Sequence, residues 1–554
     1  MPTTSTSTDV DSILRRQSAM AAERATFESH WAEVTKRVLP RQDSWYGSKN
    51  SQGDKRTQEL YDSTAVLALS RFAAAMESIL TPRAEQWHHL IPESPLSESQ
   101  AVKKWLEEIS KLLFRVRYSP RSNFASQMHE SYMGLGSIGT SCMFVDDDPG
   151  RGIIYRSLHM GGIYLAENAG GRIDTVHREF QLSNRQAIQQ FGIDNVSDSV
   201  RRDVEKKPDE KADYIHAVFP SSDIQYGRVD SKGMPWRSVY IAKAEKRIIS
   251  ESGYWEFPYM IGRYVVAPGE TYGRSPAMDA LPDIKVINEI EKTTLRIGQR
   301  AADPPYLAAD DGILGAFQIR PGVVITGGLD SNGDPRLRTL ESGANFPLTE
   351  AMSERRRQAI NDHFLVSLFQ ILAEDRSDMT ATEVLQRAQE KGALLAPASG
   401  RQQSEFLGPM IEREIGILAR AGALPPPPQE WVEAQGEYRI EYTSEATRAQ
   451  TAGRGVAVLR MIEGIAPIAQ QKPEVMDVID FDKAARVLSD SYGVPAEVLR
   501  DDKDVALIRD ARTQAAQTQD MLQSATVAGD AAQSLAKAAA MSGIPGGELL
   551  GAMG

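Results

Sequence analysis

The chain has 554 residues, room for about three or four structural units at the usual ~150 residues each. Its 41% apolar and 25% charged residues exclude a wholly disordered chain, a collagen-like repeat and a small disulfide scaffold. The formal charge of −12 argues against affinity-driven nucleic-acid binding, which needs a basic face to neutralise phosphates. Cys142 is the single cysteine, so no intrachain disulfide forms and a reducing compartment is expected. No apolar run reaches the ~18 residues that span a bilayer, and Met1 to Ser12 lacks the pattern of a secretory signal. A soluble intracellular product is expected.

In chain order, Asp11 to Leu39 predicts a helix, with Ile13, Met20, Phe27, Trp31, Val34 and Val38 at helical spacing. Pro40 ends it, and a polar loop runs from Arg41 to Arg56. Further helices are expected over Thr57 to Leu80, Ser97 to Tyr118 and Ser122 to Met133. From Gly134 the texture changes to short strands broken by Gly and Asp: Cys142 to Val145, Gly152 to Arg156, Gly162 to Glu167 and Asp174 to Gln181. After a short helix over Ser183 to Phe191, strands return at Tyr214 to Phe219, Ser238 to Ala244 and Lys246 to Ser250. The first 265 residues read as one mixed α+β unit.

Pro282 to Ala302 is a long amphipathic helix. Ile284, Ile287, Ile290, Thr294, Ile297 and Ala301 share one face, and Lys292, Arg296 and Arg300 share another. Pro304 to Gly343 is glycine-rich around segments such as Val323-Val324-Ile325, which suggests a compact β-rich insert. Pro347 to Leu372 is a second long helix whose first part carries Arg355, Arg356 and Arg357. Helix, insert, helix lets two long helices run side by side and carry the insert at their tips. A short polar loop from Ala373 to Met379 then precedes Thr380 and Glu383, which have capping-box spacing. The next helix breaks near Ala396-Pro397 and resumes from Arg401 to Ala421. Pro425 to Pro428 reads as a stiff boundary, and helices follow over Val456 to Ile468, Val475 to Ser489 and Lys503 to Met521, ending in an Ala- and Gln-rich tail.

Motifs of enzyme chemistry fail on context. Gly134, Gly136 and Gly139 match G-x-G-x-x-G, but here a helix precedes and a strand follows, the reverse of the dinucleotide order, so a tight helix-to-strand turn is expected. No Gly-Lys pair exists for a phosphate-cradling Walker loop. His88-His89 beside Trp87 is read as packing at a helix end rather than a metal site. Asp146, Asp147 and Asp148 alternate in direction on a strand-to-turn segment, so a solvated turn is expected over a cation platform. Cys142 reads as core. Lys292, Arg296 and Arg300 can meet phosphate or carboxylates on another copy, with pairing between copies the expected reading. Arg355, Arg356 and Arg357 are either solvated or paired. No cofactor or metal is implied.

Several stretches together resemble the head-to-tail connector, or portal, proteins of short-tailed bacteriophages. These are Tyr61-Asp62-Ser63-Thr64 with Leu80-Thr81-Pro82-Arg83 and Trp87; Gly136 to Val145; Gly161 to Phe180; Tyr272-Gly273-Arg274-Ser275-Pro276 with Ala280 to Lys285; Thr380 to Val384; and Gly422 to Pro426. The resemblance implies an α+β portal fold: a wing over 1–281, a stem helix over 282–303, a β-rich clip over 304–346 and a second stem helix over 347–372. A tunnel loop over 373–379 follows, then a kinked helix and wing completion over 380–445, and a helical crown with tail over 446–554. It places Glu374, Asp375, Arg376, Ser377, Asp378 and Met379 towards a DNA channel. It implies a ring of about twelve copies at one capsid vertex of the virion, built in the host cytoplasm, with no enzymatic activity of its own. The implied partners are double-stranded DNA, the large terminase subunit, tail adaptor and tail tube proteins, and major capsid and scaffolding proteins, without a membrane. Two other readings stay open: a different ring-shaped virion adaptor, and a metal-dependent nucleic-acid enzyme built on Asp146 to Asp148.

Overall fold

A computed structural model of the chain describes residues 6–42, 53, 55–96, 99–148, 152–222, 224–225, 227–228, 231–308, 322–324, 328–329, 331–339, 346–366, 397–443, 445–491, 494, 498–500 and 502–542. They form two compact units. The first comprises Met1–His89, Ser110–Leu424 and Ile440–Ala449, and the second Leu90–Ile109, Pro425–Arg439 and Gln450–Gly554.

The first unit mixes helices with two antiparallel sheets. The first helix, α1 (Thr6–Val38), buries the apolar stripe read from the sequence. Its Val10 and Ile13 pack on Ile215, Ala217, Val239 and Ile241 of a five-stranded sheet. That sheet has the order β4 (Ile163–Glu167), β5 (Ile173–Ser183), β6 (Lys211–Pro220), β7 (Trp236–Ala242) and β8 (Arg247–Tyr254). Each strand pairs with the next in sequence, so the sheet is a meander and needs no crossover. A second sheet places β2 (Thr140–Asp148) between β3 (Gly152–Leu158) and β9 (Tyr259–Arg263). Thr140 to Val145 are buried on both faces, which is why this strand reads as a continuous apolar run rather than an alternation. Another strand, β1 (His88–Pro92), forms a two-stranded sheet with β12 (Tyr438–Tyr442).

Two helices depart from the sequence reading in an instructive way. The helix expected from Thr57 starts at Thr64, because Glu59 to Asp62 are held instead by Asn288; this is α2 (Thr64–Leu80). The helix expected to end at Met133 runs on to Ile138 as α4 (Phe124–Ile138), straight through Gly134 and Gly136. Gly136 is there for space: a Cβ would come within 2.6 Å of Leu69 and 2.7 Å of Phe72 on α2. Gly139, at φ 79°, is the left-handed stop, and β2 begins at the next residue. The G-x-G-x-x-G run is therefore helix packing plus helix termination.

The two long helices are α7 (Pro276–Ala302) and α8 (Phe346–His363). The first begins before Pro282 because Ser275 caps it, its Oγ accepting from the Met278 N–H at 3.0 Å, with Pro276 in the first turn. The second ends at His363, where Leu365 turns left-handed at φ 56°, and residues 367–372 of the expected helix lie outside the described residues. Between them β10 (Tyr306–Ala308) pairs with β11 (Leu337–Thr339). Val323 and Val324, expected in a strand, lie in none and are exposed. Much of the expected β insert, and all of 373–379, fall outside the described residues. One helical turn at 397–402 leads through a wide π turn, Gln403–Leu407, into α9 (Gly408–Arg420).

In the second unit Trp105 donates from Nε1 to the Pro425 carbonyl at 3.0 Å and its ring lies 4.9 Å from Trp431, fastening the proline run. Among the described residues the helices here include Gln429–Glu433, Glu445–Gln471, Phe481–Ser491 and Asp502–Ser542. The last extends well beyond Met521, since its Ala-rich sequence favours helix without needing a buried face. Leu507, Met521 and Val527 are exposed along it.

Candidate functional site

The six basic residues singled out for function lie on α7 and α8, which pack side by side. Asn288, a polar residue on the inward face of α7, fixes the chain that precedes α2. Its Oδ1 accepts from the N–H groups of Tyr61 (2.8 Å) and Asp62 (3.2 Å), and its Nδ2 donates to the Glu59 carbonyl (2.8 Å). Asp62 in turn accepts from Arg357 of α8 at 3.3 Å. The Tyr61-Asp62 stretch thus joins both helices, a link that nothing in the periodicity of α7 announces.

The six basic residues divide into two groups. Arg356 pairs with Asp283 at 2.5 Å, and Arg357 with Glu291 at 2.8 Å as well as with Asp62. Lys292 pairs with Glu289 at 3.2 Å and sits 5.7 Å from the Tyr61 ring. Arg356 and Arg357 stitch the helix pair together within one copy, while the Lys292 pair lies within α7. Arg296, Arg300 and Arg355 are exposed and make no ion pair among the described residues. Val286, Leu295 and Met352 are exposed on the same helices, at 40%, 54% and 46%. Exposed large apolar groups beside uncompensated cations mark a face suited to contact with another surface. The tunnel-loop residues Glu374, Asp375, Arg376, Ser377, Asp378 and Met379 lie outside the described residues.

The other singled-out residues are structural. Asp146 is in β2, not in a turn: Arg413 of α9 donates to its carboxylate at 3.0 Å and to the Val145 carbonyl at 2.6 Å. Burial raises the Asp146 pKa, against the pull of Arg413. Asp147 and Asp148 stand opposite Ile153 and Gly152 in the strand ladder. Among the described residues no group of His, Cys, Asp and Glu is arranged to hold a metal. His88 opens a strand rather than ending a helix, and its Nε2 lies 2.9 Å from Arg117. Cys142 is fully buried, and burial pushes its thiol pKa up, which suits core and not a nucleophile.

Sequence reasoning missed the buried charges that tie α9 and the turn before it to the rest of the first unit. Arg117, Glu414, Tyr155 and His88 form one cluster, and Arg413, Asp146 and Glu256 another. A third centres on Arg263, whose five donors reach Glu405 twice (2.9 Å each), Glu167, and the carbonyls of Thr271 and Gly171 (3.1 Å each). The arginines and the carboxylates they meet are 96 to 297 residues apart along the chain, so no local spacing could reveal these pairs.

Comparison with known proteins places this architecture. Residues 10–499 match the family described as bacteriophage head to tail connecting protein. The chain is 32% identical over 534 residues to a probable portal protein of Bordetella phage BPP-1, covering 95% of this chain and 94% of that one. It is 30% identical over 537 residues to the portal protein of Salmonella phage epsilon15, covering 96% of each. A chain from the virion of a native gene transfer agent particle aligns over 77% of this chain and 93% of its own, at 12% identity and a TM-score of 0.31, too low to bear on the fold.

Proposed function

The chain belongs to the bacteriophage head-to-tail connecting protein family, and on that premise we propose that it forms the portal ring of a short-tailed phage. Members of such a family are structural connectors of the virion and not enzymes. The observation that carries the reading is end-to-end similarity: two portal proteins align over 95% and 96% of the chain, so the likeness belongs to the whole architecture and not to one motif. In this reading about twelve copies close a ring at one vertex, since an open head-to-tail series would grow without limit. Double-stranded DNA passes along its axis, terminase docks during packaging, and tail adaptor and tail tube proteins replace it. Major capsid and scaffolding proteins hold it in place during assembly in the host cytoplasm. The helices α7 and α8 are the stem, the segment between them the clip, residues 373–379 the tunnel loop, and the helices beyond 446 the crown.

The helix pair supports this assignment on physical grounds. Its internal ion pairs make α7 and α8 one stiff element within a copy, while its exposed apolar and cationic groups remain for a neighbour or for passing phosphate. Native mass spectrometry and negative-stain imaging of the purified protein test the ring. A closed ring of about twelve subunits is expected. A stable monomer of 61.0 kDa at every salt concentration would overturn the reading.

A further inference from the structure

We propose that residues 403–409 are a hinge in the helix spanning 397–420, latched by the Arg263–Glu405 ion pair. The sequence supplies the hinge. Pro409 has no N–H, so it bonds neither the carbonyl four residues back, Glu405, nor the one five back, Ser404. Gly408 precedes it and donates to the Gln403 carbonyl across the wide turn. A Cβ at residue 408 would lie 3.0 Å from that same oxygen. The helical ladder is thus thinned where the π turn inserts its extra residue, and inserted residues and prolines are the ordinary sites of helix bending.

What keeps the hinge in one position is set against it from the sheet. Arg263 on β9 is 2% exposed and grips Glu405 through Nε and Nη2, each at 2.9 Å. Gln402 donates to the Arg263 carbonyl at 2.9 Å, and the Tyr442 hydroxyl donates to the Gln403 carbonyl at 3.1 Å. Gly262 leaves room for this approach: a Cβ there would lie 2.6 Å from Gln402 and 3.1 Å from Phe406. Beyond the turn, α9 has its own anchors in Arg413 and Glu414 and does not depend on the latch. Arg401, one turn before Glu405 at 3.1 Å, is a second cation ready to hold the carboxylate when Arg263 releases it. Release frees the segment before residue 403 to turn by about 100° for each residue of register it shifts. Arg263 also holds Thr271 and Gly171, so movement at the hinge is felt in the chain leading into α7.

Hydrogen–deuterium exchange on the full-length protein as purified tests this. In Glu405→Gln, amides 401–408 are expected to exchange roughly tenfold faster, the scale of one lost charge-assisted hydrogen bond, with 412–420 unchanged. In Pro409→Ala, the restored donor should slow exchange at 401–408. Unaltered exchange at 401–408 in Glu405→Gln would overturn the latch, and so would an increase spread equally over 412–420. Wild-type exchange at 401–408 in Pro409→Ala would overturn the hinge.

Discussion

Arg117 and Glu414 meet in the interior with 0% and 1% of their side chains exposed. Arg117 closes α3 (Gln100–Arg117), and Glu414 comes from α9, 297 residues later. Tyr155 donates to the same carboxylate at 2.5 Å, and the Arg117 guanidinium lies 4.6 Å from the Trp87 ring. The cost of taking two charges out of water is offset only because each has the other and its remaining hydrogen-bonding sites are filled.

Removing one partner should therefore be far worse than removing both. Glu414→Gln leaves a buried guanidinium uncompensated and should cost about 3–5 kcal/mol. The double variant Arg117→Met with Glu414→Leu should recover much of that loss. Denaturant unfolding of the three proteins decides it; a double variant no more stable than Glu414→Gln would show that the pair matters by shape rather than charge.

Three buried histidines make stability depend on pH. Burial holds His88 and His216 well below the ordinary value, with further lowering by Arg117 and Arg178 respectively, and holds His177 at about 3. His216 sits 2.6 Å from the Tyr259 hydroxyl and 2.9 Å from Ser238, and His177 sits 2.8 Å from Gln17. The unfolded chain takes up protons near pH 6.5 where the folded one does not. Stability is thus complete above about pH 6.5 and should fall as pH drops below it, by up to ~1.4 kcal/mol per pH unit for each histidine. Melting temperatures between pH 7.5 and 5 should decline, and Tyr259→Phe or His216→Gln should alter the slope. A flat profile would mean these rings are protonated in the fold.

The glycine run predicts an ordered pair of steric effects. Gly136→Ala forces a methyl against Leu69 and Phe72, side chains that can shift, so a cost of about 1–3 kcal/mol is expected. Gly139→Ala should be worse. Its φ is 79°, and its Cβ would meet the Gly273 carbonyl oxygen at 2.4 Å, which is backbone and has nowhere to go. Soluble yield and melting temperature report the order; equal tolerance at both positions would contradict the packing described.

The parts of the fold carried by short-range pattern were legible in the sequence. The stripe on α1, the strand-rich stretch after Gly139 and the two long helices follow from spacing that needs no partner. The start of α7 is set locally, by the Ser275 cap and Pro276 ahead of Pro282. The reading of the start of α2 failed because a distant residue intervened, Asn288 holding Glu59 to Asp62 out of the helix. The reading of Asp146 failed for the same reason, since Arg413 lies 267 residues away. Basic residues on the long helices could be named, but their division into paired and uncompensated could not, because it depends on how α7 and α8 face each other.

That division yields the last prediction. Arg356 and Arg357 find carboxylates within their own copy, so Arg357→Ala should loosen the helix pair. Partly exposed pairs are worth only about 0–1 kcal/mol, and the loss should show as a small drop in melting temperature without loss of the proposed ring. Arg296, Arg300 and Arg355 are exposed and should leave the melting temperature unchanged when replaced by Ala. Their effect should fall on what they meet. If that is DNA phosphate, each contact removed lowers the slope of log affinity against log salt by about 0.9. If it is a neighbouring copy, the ring itself should dissociate at lower salt, with the DNA slope unaltered. Filter binding across a salt series and native mass spectrometry separate the two. Unchanged behaviour in both, for Arg296→Ala/Arg300→Ala/Arg355→Ala together, would show that this face of α7 and α8 meets only solvent.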